Sequence, residues 1–383
     1  MLHHWIVTNR EVRRKLIDGH YEDRVIDSRK EALPTFRVAT FTPPPGLPDA
    51  DVLEDAVELV PDTFSEHYGG IKPSTDPDTL PGSKRLFKAL YDTMLASPPD
   101  KGDTLFFLHG FNYSWQDALI HLQKLHHVYV EPAESPITRI VYFSWPSWGA
   151  MTKYKKDQQI AQPSGYLLGR IFSKAIQFYR DFFAPEEGRG AGFCGRKIHL
   201  AAHSMGNQVM QEFVRAVRDH DFLRSPLFGE VVLLNADVAW TCMEPDHPFQ
   251  VLPDYADRIH VYNHESDDAL LISEATKNRE KRLGRHGPRD IDLIPPRTLV
   301  VDCTSLDGTK GRLPVDDEFL RAAARVLERE TTGTRERMFD HWGYLHRKEV
   351  VADVYQVLRG ISSSRITGAR KHRSGPLFKL TQS

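Results

Sequence analysis

Cysteine is scarce in this chain. Three residues of 383, Cys194, Cys242 and Cys303, lie far apart. Their spacing supplies neither a zinc site nor a disulfide framework, so a reducing compartment is the simpler expectation. Long apolar runs are missing as well: none approaches the ~18 residues of a membrane span. The opening MLHHWIVTNR has no apolar core of a secretory leader. The expectation is a cytoplasmic protein with no transmembrane segment. An excess of either charge is also lacking. The formal net charge is −2, and nothing marks a nucleic-acid binder. No internal repeat is present, and oligomeric state is left open. What is there, 40% hydrophobic and 27% charged residues, suffices for a sizeable globular core.

Read in order, His4 to Thr8 and Phe36 to Phe41 have strand character. The charged stretch between them, Glu11 to Lys30, is expected to be surface helix or loop. Residues 43–83 are rich in Pro, Asp and Gly, with one short apolar run at Val57 to Val60. They read as an irregular surface crossing. Lys84 to Leu95 has a helical apolar face. A regular alternation then begins. Strands are expected at Thr104 to Leu108, Arg139 to Phe143, Ile198 to Ala202, Glu230 to Leu234, Arg258 to Tyr262 and Arg297 to Val301. Helices are expected at Ser114 to Val128, Tyr154 to Phe183 (broken near Pro163), Phe319 to Leu327 and Val350 to Leu358. Such alternation predicts an α/β fold, a mainly parallel sheet with helices on both faces. Residues 1–361 read as one domain, and 362–383 as a basic, frayed tail.

One stretch organises the rest. Ile198 to Ala202 is a short buried strand, and Val209, Met210, Phe213, Val214 and Val217 mark one buried face of the helix that follows. Between them stands Ala202-His203-Ser204-Met205-Gly206. This nearly matches the G-x-S-x-G nucleophile elbow, with alanine at the first glycine. The elbow needs small residues because backbones close in on either side of the serine. It exposes the hydroxyl and aims the Met205 N–H at a developing oxyanion, where the helix N-terminus adds partial positive charge. A bare helix N-cap serine would share the five residues, so the neighbours decide.

Serine chemistry also requires a base, an acid and a second oxyanion donor, in the order serine, acid, histidine. His109-Gly110-Phe111-Asn112 follows an early strand, and the Phe111 N–H is the candidate donor. His341 is the candidate base, in a glycine-containing loop before the last helix, with His346 as its rival among 18 histidines. Asp267, past the strand ending at Tyr262, ranks first as acid. Asp237 ranks second and Asp268 third, and each could instead be a helix cap or loop carboxylate. His203 and Trp145 complete the expected walls with His109, Gly110 and Asn112. Phe111, Tyr113, Trp115, Trp145, Trp148 and Trp342 suit an apolar acyl or aryl group, although Trp115, within a helix, reads better as core.

Together these residues resemble the α/β-hydrolase superfamily, and more narrowly a bacterial esterase-like branch of unknown function. The likeness is carried by Leu108-His109-Gly110-Phe111-Asn112, by Trp145-Pro146-Ser147 with Gly149, Tyr154 and Asp157, and by Ala202 to Asn207. Tyr262 to Asp267 with Ala269 and Leu270, then His341 with Tyr344, complete it. It runs from about Leu105 to Leu358. The resemblance implies an α/β-hydrolase fold with Ser204 as nucleophile, Asp267 as acid and His341 as base, and the Trp-Pro-Ser stretch helping to wall the site. Three departures stand out: Ala202 at the first elbow glycine, Asn235-Ala236 before Asp237, and Trp342-Gly343 lengthening the base loop. The expected activity is cleavage of a small-molecule acyl compound, a carboxylic ester first, through an acyl-enzyme, with no cofactor and no metal. A silent hydrolase-fold binding module and an acyltransferase are the competing expectations.

Overall fold

The computed structural model describes residues 3–17, 20–25, 33–62, 70–98, 100–148, 153–183, 195–218, 227–278, 280–306 and 337–382. The expected helix at Phe319 to Leu327, and also Gly149 and Cys194, lie outside them. Among the described residues the strands are β1 (His4–Thr8), β2 (Val12–Ile17), β3 (His20–Val25), β4 (Arg37–Phe41), β5 (Val57–Leu59), β6 (Asp103–Leu108) and β7 (Ile137–Ser144). They continue with β8 (Ile198–His203), β9 (Phe228–Leu234), β10 (Ala256–Asn263), β11 (Thr298–Asp302), β12 (Arg370–Ser374) and β13 (Leu377–Leu380). The helices that matter below are α1 (Ala50–Asp55), α2 (Gly82–Ala96), α3 (Trp115–Tyr129), α4 (Tyr154–Phe183), α5 (Gly206–Arg218) and α6 (Asp268–Ser273). A closing helix spans Lys348–Leu358.

Eleven strands form one sheet in the order β12-β13-β11-β10-β9-β8-β6-β7-β1-β4-β5. Every neighbouring pair from β13 across to β1 is parallel. Antiparallel strands occur only at the two edges. The central strands are apolar on both faces because both faces are covered. Phe106, Leu108, Leu200, Ala202, Val231 and Leu233 pack with residues of α2, α4 and α5. Their alternates Leu105, Phe107, Ala201, Val232 and Leu234 pack with α1, α3 and the closing helix. Trp115 belongs to that second core, as its helical position implied.

Four expectations give way. Glu11 to Lys30 was expected as helix or loop, yet its described part is the antiparallel hairpin β2–β3. Arg14 stands opposite Asp23 and Lys15 opposite Glu22, so opposite charges face each other across a ribbon that apolar periodicity does not announce. The surface crossing contains α1 and the edge strand β5, which pairs with β4. Helix α4 runs through Pro163 without a break. Its next two residues are held by tertiary contact: Ser164 Oγ accepts from Asn9 Nδ2 at 3.0 Å, and Gly165 lies against the α5 backbone. The tail is not frayed, since β13 joins β11 in parallel and β12 returns beside it. Arg370 is buried there against Asp353, with Nε to Oδ1 at 2.7 Å, and Leu380 is fully buried.

Candidate active site

Leu108, Ser144, His203, Leu234 and Asn263 end β6, β7, β8, β9 and β10 on one edge of the sheet. The residues after them form the site, where open parallel sheets bind ligands. Between β8 and α5 the chain reverses at Ser204, which has a left-handed φ of 51°. A non-glycine residue in that region is strained and must be held by its surroundings. The Ser204 N–H donates to Leu234 O at 3.0 Å, and the Ser204 carbonyl accepts from Asp237 N–H at 3.1 Å. Asn207 Nδ2 bridges the Ala202 and Ser204 carbonyls at 2.9 and 3.1 Å. At Gly206 a Cβ would lie 2.6 Å from the carbonyl oxygens of both Leu108 and His109, so only glycine fits. Ala202 is fully buried in the core, and the first elbow position tolerates its methyl group.

The base loop and the acid meet. His341 Nδ1 lies 2.7 Å from Asp267 Oδ2, the acceptor of its N–H, which leaves Nε2 as the proton-accepting nitrogen. Asp267 is fully buried. Its Oδ1 caps α6 by accepting Leu270 N–H at 3.0 Å, and its Oδ2 also accepts from Asn235 Nδ2 at 2.8 Å. Burial by itself would raise this carboxyl. The charge and hydrogen bond of His341, with the Leu270 and Asn235 donors, outweigh burial and hold it below the ordinary value. Asp267 thus caps α6 with one oxygen and faces His341 with the other.

The other candidates lie apart from that pair. Asp237 accepts Tyr154 OH at 2.6 Å and Ser273 OH at 2.8 Å, and Arg282 Nε approaches at 3.1 Å as an ion pair. Asp268 lies in the first turn of α6, one residue beyond the cap. His346 is buried near His121, whose titration it influences.

His203 links the elbow to the base loop. Its Nε2–H donates to the His341 carbonyl at 2.9 Å, and the two rings lie 4.6 Å apart. Burial, then the charge of His341, pushes His203 well below its ordinary value, so it stays neutral. The serine is less open than an elbow implies, with 5% of its surface exposed. Among the described residues its hydroxyl has no hydrogen-bond partner.

The loop after β6 closes the other side. Its Gly110 has its α-carbon against the elbow: a Cβ there would meet Ser204 Cβ at 3.0 Å. Trp145 N–H donates to His109 Nε2 at 3.1 Å, which places the His109 proton on Nδ1, where it bonds the Gly110 carbonyl at 2.8 Å. That bond sets the plane of the Gly110–Phe111 peptide and so the direction of the Phe111 N–H. Burial, then Arg10, lowers His109 to about 3, keeping this tautomer through the working range. Trp145 is fully buried, stacks on His109 at 5.2 Å and donates its indole N–H to the His109 carbonyl at 2.9 Å. Among the described residues, the N–H groups of Phe111 and Met205 are bonded to no protein acceptor, unlike that of Asn112, which reaches Ser147 Oγ at 2.7 Å. Phe111 packs edge-on against Tyr154 at 5.4 Å, and Trp342 donates to Tyr113 OH at 3.1 Å.

Sequence reasoning passed over Asn235, whose left-handed φ of 43° turns its amide toward Asp267. Asparagine tolerates that region better than most residues, and its place past a strand end was the available signal. Among the described residues, no cluster of three or more His, Cys, Asp or Glu is arranged to hold a metal ion, and no helix is long and apolar enough to cross a membrane. A family model described as alpha/beta hydrolase of unknown function (DUF900) matches residues 88–307. No curated protein and no solved structure matches the chain.

Proposed function

The chain belongs to the alpha/beta hydrolases of unknown function (DUF900), and from that premise we propose that it is a serine hydrolase cleaving a carboxylic ester through an acyl-enzyme. The observation that carries this reading is the 2.7 Å bond from His341 to the buried Asp267, in a loop tied through His203 to the strained serine turn. His341 takes the Ser204 proton at Nε2 as Oγ attacks the ester carbonyl. The N–H groups of Phe111 and Met205 receive the oxyanion, aided by the α5 N-terminus. The imidazolium then protonates the leaving alkoxide. Water, deprotonated by the same imidazole, attacks the acyl-enzyme, and the imidazolium returns that proton to Ser204 Oγ as its bond to the acyl carbon breaks and the acid departs. Asp267 keeps the Nδ1 tautomer and stabilises the cation throughout. The bond between Ser204 and His341 forms as substrate binds, since catalytic bonds tighten in the Michaelis complex.

The reading is tested by turnover of p-nitrophenyl acyl esters of graded chain length. Ser204→Ala is expected to lose on the order of 10⁶ in kcat with an unchanged thermal midpoint. Turnover retained in that variant contradicts it.

A further inference from the structure

Phe111 lies between two peptides, and the structure treats them differently. The peptide before it is set by His109. The peptide after it, and the next one, both reach a single oxygen: Ser147 Oγ accepts the N–H of Asn112 at 2.7 Å and of Tyr113 at 3.1 Å. Ser147 is fully buried, and its own proton goes to Asp157 Oδ2 at 2.6 Å. Asp157 Oδ1 takes the Trp148 N–H at 2.9 Å, closing the clamp onto the segment that carries Ser147. Asn112 has a left-handed φ of 67°, a conformation that needs such restraint. Asp157, in the first turn of α4, thus reaches the loop after β6 through one hydroxyl.

We propose that Ser147 and Asp157 are positioning residues: they fix the two peptides after Phe111 and so, with His109 fixing the one before it, keep the Phe111 N–H at the angle the oxyanion requires. The inference rests on the serine-hydrolase reading above. A hydroxyl that accepts two N–H groups must give its proton to a third partner, and only an acceptor such as the Asp157 carboxylate serves. Burial, opposed by hydrogen bonds from Ser147 and from the Trp148 and Asn112 backbone, raises that carboxyl to about 6, so it is the carboxylate above that value. Substitution by asparagine keeps the shape but cannot both accept from Trp148 and accept from Ser147 through the remaining atom, which is an amide donor. The loop then relaxes while the substrate-binding walls stay in place.

The experiment compares wild type, Asp157→Asn, Ser147→Ala and Ser147→Thr in p-nitrophenyl ester turnover, thermal melting and inhibition by a trifluoromethyl ketone, which mimics the tetrahedral state. Loss of a whole oxyanion donor costs about 10²–10³ in rate, so a misaligned one is expected to cost roughly 10- to 100-fold. The loss should appear in kcat with KM within about twofold, and ketone affinity should fall in step with kcat. Ser147→Thr, which keeps the hydroxyl, should recover most of the rate lost in Ser147→Ala. A purely structural clamp would shift the melting midpoint and leave kcat of the folded variants alone. That result, or a loss confined to KM, overturns the inference while leaving Ser204 chemistry standing. Should Ser147→Ala fail to fold, the isosteric Asp157→Asn distinguishes the same two outcomes. Wild-type turnover that survives Ser204→Ala removes both readings together.

Discussion

Two buried aspartates stand past the ends of neighbouring strands, Asp237 after β9 and Asp267 after β10, and their surroundings separate their roles. Asp237 is met by fixed donors: the Tyr154 and Ser273 hydroxyls, with the Arg282 cation beside it. Asn278 Nδ2 in turn donates to both hydroxyl oxygens at 2.7 Å, so each hydroxyl proton is committed to the carboxylate. Gln208 holds its backbone carbonyl at 2.7 Å, and its N–H braces the Ser204 carbonyl. Asp267 is met instead by an imidazole, that of His341 at 2.7 Å. A carboxylate among fixed donors supports a framework; one paired with an imidazole can govern proton transfer. Position past a strand end, which the two share, does not distinguish them.

The contrast predicts different failures. Asp267→Asn should lower kcat by about 10⁴, through the wrong imidazole tautomer, with little change in melting. Steady-state kinetics on p-nitrophenyl esters checks it, and a loss under tenfold would break the comparison. Asp237→Ala should instead cost about 3–5 kcal/mol of stability, because among the described residues Asp237 is the carboxylate paired with the buried Arg282 side chain. Urea denaturation measures that cost, and kcat of the folded fraction should stay within about tenfold of wild type. Asn235→Gly keeps the left-handed backbone and deletes one donor to the Asp267 carboxylate. The expected loss is about 1.5–3 kcal/mol by the same denaturation assay.

The smallest effect sets Asp267 against a third buried carboxyl, Asp157. Asp267 is held below its ordinary value, so its contribution to stability is complete above that value and is lost as pH falls. Asp157 is raised from 3.8 to about 6, so the folded state binds its proton more tightly than the unfolded chain does. Its stabilising contribution is present below 3.8 and lost as pH rises through about 6. The melting midpoint of Asp157→Asn relative to wild type should therefore shift in the variant's favour between about pH 4 and about pH 8. Melting curves in matched buffers would show the opposite trend if the carboxyl were stabilised as an anion.

Much of this was legible in the residues. The elbow could be read because its steric demand falls on five consecutive positions, and Gly206 meets that demand against β6. The central strands could be read because two covered faces leave continuous apolar runs. Strand count ranked Asp267 above Asp237 as candidate acid; that an imidazole meets the one and hydroxyl donors the other is a tertiary fact that strand count does not carry. The separate β2–β3 hairpin and the C-terminal strands were hidden by their charge: Lys15 and Glu22 give no apolar alternation, and Arg370 looks solvated until Asp353 is known as its partner. Ser147 and Asp157 stood among the residues that carry the family likeness, but without a role of their own. Ser147 holds backbone N–H groups 34 and 35 residues away, and no side-chain pattern records a backbone partner.

The central claim is that Ser204, His341 and Asp267 act as one unit, and fluorophosphonate labelling followed by peptide mass spectrometry tests it most directly. The account predicts one adduct on wild type, at Ser204, with labelling abolished in Ser204→Ala and His341→Gln and slowed in Asp267→Asn but not in the folded fraction of Asp237→Ala. An adduct elsewhere, or undiminished labelling of Ser204 in His341→Gln, would contradict it.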